Sequence, residues 1–382
     1  MKTSIISIVC CPLLIALIAL SAPVGAGDLN PPIGPVMPTM RTMQEVFDKA
    51  QQGVDTATDA EAAAIAAAEA ATNAESTAAD AEAAAIAAQD PRIPVNSMNT
   101  PGDADSLFMI TQPGSYYLTA NISGEANKDG IEIAASNVTL NLNGFALVGQ
   151  GSSNGILVSG IRRNLAVSNG TIESWGTGCS AQETSGSVFD HLQLHSNSGD
   201  GLTVFGSQCR VSDSISRSND GNGIRVNRAT IVERCVAYSN GQDGIRANAD
   251  CVITHCSMEN NDDDGIDAFR AVITECSSAD NSGDGIEISS GSFVMRNSCD
   301  GNGGAGIRTG GDSNRIESNH LTENGRGIEA TAGINNLIVK NTAAGNTTNY
   351  QIDPDNLYGQ IVTPSAGFNS SNAWANFGWD EG

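Results

Sequence analysis

The sequence has few positively charged side chains and few aromatic ones. It contains 19 lysine and arginine residues against 43 aspartate and glutamate residues, a formal net charge of −24, and aromatic residues make up 4% of the chain. Proteins bind nucleic acid largely through lysine and arginine side chains that neutralise phosphates, so this charge excludes a general nucleic-acid-binding surface. The charge also disfavours anionic lipid, whereas neutral glycans and cations remain suitable partners.

Long hydrophobic runs are missing after residue 26. The first 26 residues carry Lys2, then an apolar run, and end in small residues around Ala26, the pattern of a secretory signal peptide. The run is short for a membrane anchor. We therefore predict cleavage after Ala26, export to the periplasm or the extracellular space, and no insertion in the membrane.

Composition divides the chain that follows. Residues 27–41 are rich in proline and glycine and are predicted to be a linker, whereas residues 42–89 are dominated by alanine, which favours helix. The nonapeptide DAEAAAIAA occurs at 59–67 and again at 80–88, an offset of 21 residues or three heptads. Two interpretations stay open: a helical stalk that self-associates through an alanine-rich coiled-coil seam, or a solvated, partly frayed spacer.

A repeat of about 21 residues follows a second predicted linker at 90–105. Segments such as VITHC and GIRAN alternate apolar and polar residues, which is typical of half-buried strands, and Gly, Asn and Asp mark the turns. A unit this short cannot bury its inner face alone, so successive units must coil and stack. One asparagine recurs in eight copies, at Asn197, Asn219, Asn240, Asn261, Asn281, Asn302, Asn324 and Asn346.

The repeat predicts a parallel β-solenoid of about ten coils over residues 106–350. Stacking would place each strand about 4.8 Å from its copy in the next coil. The eight asparagines are predicted to stack inside, each amide bonding the next, because buried polar groups persist only when they are hydrogen-bonded. A leucine-rich repeat is excluded because residues 189–346 contain only five leucines.

Two segments, IESNHLTENGRGI at 316–328 and ITHCSMENNDDDGI at 253–266, carry a specific resemblance. They resemble the I-x-x-N-x(4)-N-x-x-G-I repeat of right-handed parallel β-helix proteins, the pectin-lyase-like superfamily. The resemblance implies an all-β, right-handed parallel β-helix over roughly 106–350. It leaves the activity open, because polysaccharide lyases, hydrolases, epimerases, adhesins and phage tailspikes share this fold.

Catalytic signatures of these relatives are largely absent. NDDDGID at 261–267 resembles the NTDGID segment of polygalacturonases, but the chain has neither their GHG nor their RIK motif. DPDN at 353–356 lacks the histidine of the DPHD motif of mannuronan epimerases. The sequence therefore favours an exported glycan-binding or scaffold protein, with a polysaccharide-active enzyme, foremost a lyase, as the alternative. It identifies no catalytic residue.

Charged residues two positions after the turn glycines should form a row on the outer surface. Opposite charges then meet in successive coils, and each such cross-strand pair contributes roughly 0.2–1 kcal/mol. Mutual support is one interpretation; the other is a groove in which arginines contact sugar carboxylates. The candidate ligand-binding residues are Arg225, Arg246, Asp267, Glu287 and Arg308.

A second set of candidates lies just before the turn glycines. Asp243, Asp264 and Asp284 should form a column, with Asp262 and Asp263 beside it. We expect a left-handed or tight-turn backbone there, which aspartate tolerates. Stacked carboxylates repel unless a cation lies between them, so these five residues are a candidate calcium site. The alternative is that each aspartate bonds its own turn and stays hydrated.

Two further features have structural interpretations. Cys235, Cys256 and Cys276 occupy equivalent repeat positions, which predicts a buried column of free thiols rather than disulfides. The tail, residues 351–382, is richer in large aromatic side chains than the rest of the chain and is predicted to cap the end of the solenoid. A sugar-stacking platform is the alternative. The aromatic residues concerned are Phe368, Trp374, Phe377 and Trp379.

Overall fold

The computed structural model describes residues 43–89, 91–364 and 370–380, which divide into two compact units at Ala81 and Glu82. The predicted signal peptide (1–26), the first linker (27–41) and Phe368 lie outside the described residues. Among the residues that the structure describes, no helix combines the length and the apolar character needed to cross a membrane.

The alanine-rich region forms one helix, Met43–Gln89. Alanine has the highest helix propensity, and proline is absent from the whole segment. All side chains from Asp48 to Ala78 are exposed, including Ile65 at 55%. Within this described part of the helix, nothing covers the alanines, so the helix depends on propensity and local hydrogen bonds rather than on packing.

The region after residue 91 is a parallel β-helix in which each coil contributes three strands. Equivalent strands of successive coils stack into three rows, here called row A, row B and row C. Rows A and B join in a 24-stranded sheet, and row C forms a 12-stranded sheet. Row C consists of Ser106–Ile110, Asp129–Ile133, Asn154–Val158, Thr177–Ala181, Leu202–Val204, Ile224–Val226, Ile245–Ala247, Ile266–Ala268, Ile286–Ile288, Ala305–Thr309, Arg326–Ala330 and Thr348–Ile352.

Rows A and B lie side by side. Row A consists of Ile93–Pro94, Gly114–Tyr117, Val138–Asn141, Arg210–Ser212, Ile231–Glu233, Val252–Thr254, Val272–Thr274, Phe293–Met295, Arg315–Glu317, Leu337–Val339 and Leu357–Tyr358. Row B consists of Ile122–Ser123, Ala146–Val148, Ile215–Arg217, Val236–Tyr238, Ser257–Glu259, Ser277–Ala279, Ser298–Asp300, His320–Thr322, Thr342–Ala344, Ile361–Val362 and Asn376–Trp379. Ala166–Glu173 and Val188–His195 run through both rows, and Arg162–Arg163 pairs with Thr184–Ser185 in a small separate sheet.

The predicted fold is confirmed, with about twelve coils in place of ten. The missed coils lie where the repeat length changes. Ile131, Ile156, Cys179 and Leu202 are successive partners in row C but are 25, 23 and 23 residues apart. These long steps precede the asparagine column, so an alignment at a period of 21 did not find every coil of this region.

Inward side chains of all three rows, together with the asparagine column, form the core. Ile245 and Ile266 have no exposed surface. Asn261 is 1% exposed, and its Nδ2 donates to Oδ1 of Asn281 over 2.8 Å. The same bond links all eight predicted asparagines, so the predicted column is confirmed.

The recurring turn glycine follows from this column. A Cβ on Gly244 would lie 2.8 Å from Nδ2 of Asn261 and from the carbonyl oxygen of Gly265. Any larger residue would therefore displace the asparagine ladder or the backbone of the next coil. Glycine at this position lets row C follow the buried amides closely.

The cysteine column is buried inside the same coils. Cys235, Cys256 and Cys276 are unpaired, and the Sγ of each lies 3.4 Å from the carbonyl oxygen of the residue two before it. In the following coils Asn297 and Asn319 take the same position. All seven cysteines that the structure describes are buried and free.

The left-handed backbone positions differ from those expected. Asp243, Asp264 and Asp284 do not have positive φ angles. The left-handed residues are instead those directly before each residue of a buried column. Examples are Arg234 (φ 52°) and His255 (φ 55°), which precede two residues of the cysteine column. The left-handed alternative of that expectation was therefore wrong, whereas the tight-turn alternative stays a prediction.

The tail packs on the last coil. Its strand, Asn376–Trp379, pairs with Thr342–Ala344, and Asn376 Oδ1 accepts the backbone N–H of Asn341 at 2.9 Å. The Trp374 ring lies 4.7 Å from Lys340 Nζ. These contacts cover the end of the solenoid and favour the cap interpretation of the tail.

Candidate functional site

The charged row expected on the outside of row C is present. Strand register places Arg225 beside Arg246, Arg246 beside Asp267, Asp267 beside Glu287 and Glu287 beside Arg308. Their side chains point outward because the buried residues on either side of each one point inward. The row is therefore continuous over five coils.

The aspartate column runs along one edge of this row. Asp243, Asp264 and Asp284 are 2–6% exposed. Each Oδ1 accepts a backbone N–H from the next coil, at 3.3 Å for Asp243, 2.6 Å for Asp264 and 2.6 Å for Asp284. Asp200 makes the same bond to Asn222. Aspartate and asparagine recur here because their side-chain oxygen satisfies an otherwise unpaired amide.

Two arginines each bind one column carboxylate and one row carboxylate. Arg246 lies 3.5 Å from Asp243 and 3.3 Å from Asp267. Arg308 lies 2.5 Å from Asp284 and 2.8 Å from Glu287. Together with Asp264 these residues form what we call the row C cluster: Asp243, Arg246, Asp264, Asp267, Asp284, Glu287 and Arg308.

Asp264 occupies the centre of the row C cluster and is the one column aspartate of the three without an arginine partner. Burial raises its pKa to about 8, and the nearby Asp284 and Glu287 carboxylates add to the effect. Burial also raises the pKa of Asp243 to about 6, with contributions from Asp267 and Asp263. The raised pKa of Asp264 therefore favours its protonated form near neutral pH when no cation is bound.

Carboxylate oxygens of the cluster and of the adjacent Asp263 form two groups that could hold a metal ion. Oxygens of Asp243, Asp263 and Asp264 lie within 4.8 Å of one another, and so do those of Asp264, Asp284 and Glu287. Calcium prefers such all-oxygen sites, completed by backbone carbonyls and water. Asp262 belongs to neither group and is exposed.

Another group, Asp190, His191 and Asp213, also has suitably close ligand atoms. His191 Nδ1 lies 2.6 Å from Asp190, and Arg234 donates two 2.7 Å hydrogen bonds to Asp213. These ion pairs already satisfy the carboxylates. We therefore assign this group a structural role on the turn between rows A and B.

Arg225 lies at one end of the charged row, outside the row C cluster. Its guanidinium is 3.8 Å from Asp200 and stacks over the Phe205 ring at 4.7 Å. Asp200 and Phe205 were not among the sequence candidates, and Glu287 was not among the predicted metal ligands. The sequence signal for Asp200 was its position directly before a turn glycine, Gly201, which is the position of the column aspartates.

The family assignment follows from the whole coiled region. The model of the family described as right handed beta helix region matches residues 108–251 and 227–369. These matches cover more than half of the chain. The chain belongs to the right-handed β-helix family. The predicted pectin-lyase-like fold is thereby confirmed.

Solved structures similar to this β-helix protein include polysaccharide-related proteins. The A-module of mannuronan C-5 epimerase AlgE4 from Azotobacter vinelandii is 16% identical over 70% of this chain and 90% of that chain, with a TM-score of 0.55. Pectate lyase Pel9A is 14% identical over 69% and 77%, with a TM-score of 0.41. At these identities the similarity is one of fold. No curated protein sequence matches the chain.

Proposed function

We propose that this β-helix protein is exported and binds a linear acidic polysaccharide along row C. The main support for this proposal is the outward-facing row from Arg225 to Arg308, which presents one charged group per coil. Neighbouring coils lie about 4.8 Å apart, so an extended polymer can meet equivalent groups in successive coils. The structurally similar epimerase is named for mannuronan, an acidic polysaccharide, which supports this ligand class.

Arginine supplies the contacts in this proposal. The Arg225, Arg246 and Arg308 side chains are 40–46% exposed although each has a carboxylate neighbour. Their remaining N–H groups can bind sugar carboxylates in the planar, two-bond geometry that guanidinium favours. The flanking protein carboxylates hold the guanidinium groups in place between coils.

Binding should be measured by calorimetry with polygalacturonate and mannuronan, and with dextran as a neutral polymer. We expect the double variant Arg246→Gln/Arg308→Gln to weaken binding of the acidic polymers. Arg296→Gln is the matched control, since Arg296 is an exposed arginine paired with Glu275 on the turn between rows A and B. Equal affinity of the wild type and the double variant would rule out row C as the binding face.

Catalysis is the second candidate, and the raised pKa of Asp264 favours it. A buried carboxyl group with a pKa of about 8, in a cluster that also contains Arg246 and Arg308, could donate or accept a proton during uronate cleavage. A lyase would leave unsaturated uronate ends that absorb ultraviolet light, whereas a binding protein leaves the polymer intact. If ultraviolet absorbance rises with time for the wild type and this rise is abolished by Arg246→Ala, the protein is a lyase and the binding proposal is wrong.

A further inference from the structure

The turns between rows C and A shorten along four successive coils. Seven residues separate Asn154–Val158 from Ala166–Glu173, and six separate Thr177–Ala181 from Val188–His195. The next two turns have five residues, after Leu202–Val204, and four, after Ile224–Val226. The longer turns project beyond the shorter ones, which leaves a step in the surface.

The projecting wall is an ordered structure. Arg162–Arg163 pairs in parallel with Thr184–Ser185, and Ser185 bridges to Ser207 in the following turn. Gly206 lies at the foot of this wall, where a Cβ would collide with the carbonyl oxygen of Thr184. The absence of a side chain at Gly206 thus lets this turn pack closely against Thr184 of the preceding turn.

A groove of about 410 Å³ lies along this step. Its lining residues are Ile161, Arg163, Gln182, Glu183, Thr184, Ser185, Phe205, Gly206, Ser207, Asn227 and Arg228. Ile161 is 66% exposed, a large apolar surface beside polar and basic groups. Such a mixture suits a sugar ring that carries a charged substituent, because the ring has apolar C–H faces and polar edges.

The arginines of the groove are poorly matched by protein carboxylates. The Arg163 side chain has no ion pair or hydrogen bond with any described residue, and the nearest carboxylate to Arg228 is Asp250 at 3.8 Å. Asp250 is itself bound by Arg270 at 2.9 Å. The adjacent Arg162 has a buried Nε without an acceptor.

This arrangement contrasts with the rest of the protein. In a chain of net charge −24, most other exposed arginines of the coils pair with aspartate or glutamate at shorter distances. Glu183 is the one acidic residue that lines the groove. Guanidinium groups that lack a close carboxylate partner and lie next to an apolar surface have both charge and donors available for an anion.

We propose that this groove, at the turns between rows C and A, binds the oxyanion group of a charged saccharide through Arg163 and Arg228. The bound group is a carboxylate or a sulfate ester, since guanidinium binds the oxygens of both. Ile161 and Phe205 would contact the apolar face of the sugar. The proposal deepens the proposed function by adding a subsite, and it does not require that row C bind the polymer.

The test is calorimetry with oligogalacturonate, dextran sulfate and dextran on the full mature chain. We expect Arg163→Gln/Arg228→Gln to weaken binding of the preferred anionic ligand by about ten-fold or more, with Arg296→Gln unchanged. Tight binding of oligogalacturonate identifies a carboxylate subsite, and preference for dextran sulfate identifies a sulfate subsite. Equal binding by wild type and the double variant, or equal binding of dextran, would overturn the proposal.

Two comparisons separate this subsite from row C. If only Arg246→Gln/Arg308→Gln weakens binding, row C stands and the groove proposal fails. If only Arg163→Gln/Arg228→Gln does so, the groove stands without row C. Thermal unfolding of each variant checks folding. Charge reversal by Arg228→Glu should weaken anion binding further than Arg228→Gln if the contact is electrostatic.

Discussion

Asp213 and Asp264 show how position within the coil determines the chemistry of one residue type. Asp213 lies on the turn between rows A and B, where hydrogen bonds from Arg234 lower its pKa. Asp264 lies before row C, where burial raises its pKa. Asp262, two residues away, is exposed. The local sequence NDDDG does not distinguish these environments, but the position in the repeat does.

The raised pKa of Asp264 predicts how stability depends on pH. A carboxyl group whose folded pKa is about 8, against 3.8 as the ordinary value, loses its favourable contribution as pH rises between these values. Asp264→Asn keeps an oxygen acceptor for Asp284 N–H and removes the titration. We therefore expect the variant to unfold at a higher temperature than the wild type at pH 9, with the difference shrinking towards pH 4.

Calorimetric unfolding between pH 4 and pH 9 measures this difference. Asp262→Asn, an exposed change on the same turn, is the matched control and should follow the wild type. A difference between Asp264→Asn and wild type that stays constant over this range would show that Asp264 is not protonated in the folded protein.

Asn261 tests the asparagine column. Its Oδ1 accepts hydrogen bonds from the backbone N–H and the Nδ2 of Asn240, at 3.1 and 3.0 Å. Asn261→Ala leaves these buried donors unpaired, which should lower the free energy of unfolding by roughly 1–3 kcal/mol. Urea unfolding measures the change, and Asp262→Ala should have little effect. An unchanged midpoint for Asn261→Ala would contradict a stabilising role for the column.

At the scale of elements, the sequence predicted the parts of a coil that repeat and missed those that do not. The asparagine column and the alternation within row C recur at a nearly fixed period, which forces equivalent residues to stack. Several left-handed positions are filled by Arg234, Glu275 and Arg296, residue types that, unlike Asn, Asp and His, are not typical of a left-handed turn. Their conformation follows from coil closure, so residue type alone could not predict it.

The functional clusters depend on contacts between different elements. Sequence placed Glu287 in the charged row and Asp264 in the aspartate column, but only the folded coil shows that these two carboxylates lie close together. The groove beside Arg163 depends on unequal turn lengths in non-equivalent coils. An alignment of the repeats ignores differences in turn length between coils, so it gave no indication of this groove.

Calcium binding by the turns before row C remains a prediction. Asp264 is shared by both groups of close carboxylates, and its proton competes with a cation. We therefore expect binding heat at millimolar calcium to be larger at pH 8.5 than at pH 5.5, and Asp263→Asn/Asp264→Asn to abolish it. Asp262→Asn is the control. No binding heat at pH 8.5, or equal heat from wild type and the double variant, would show that these aspartates do not bind calcium and act only as hydrated turn residues.

At the scale of the whole molecule, the two units obtain stability in different ways. Each coil of the β-helix covers the next, so interfaces between coils supply the buried surface. The helix Met43–Gln89 has no such interface among its described side chains. Small residues recur along it with the alternating three- and four-residue spacing of a coiled-coil seam: Ala50, Gly53, Ala57, Ala60, Ala64, Ala67, Ala71, Ala74 and Ala78.

This spacing predicts that the helix holds the protein together as an oligomer, because neighbouring helices would cover the small-residue seam. Sedimentation of the mature chain should then show a larger species than a chain shortened to begin at residue 91. Ala64→Glu/Ala71→Glu places charges in the seam and should give monomers. Ala62→Glu/Ala66→Glu adds the same charge outside the seam and should leave the oligomer intact. If the mature chain and the shortened chain both sediment as monomers, the helix is a solvated spacer rather than a stalk.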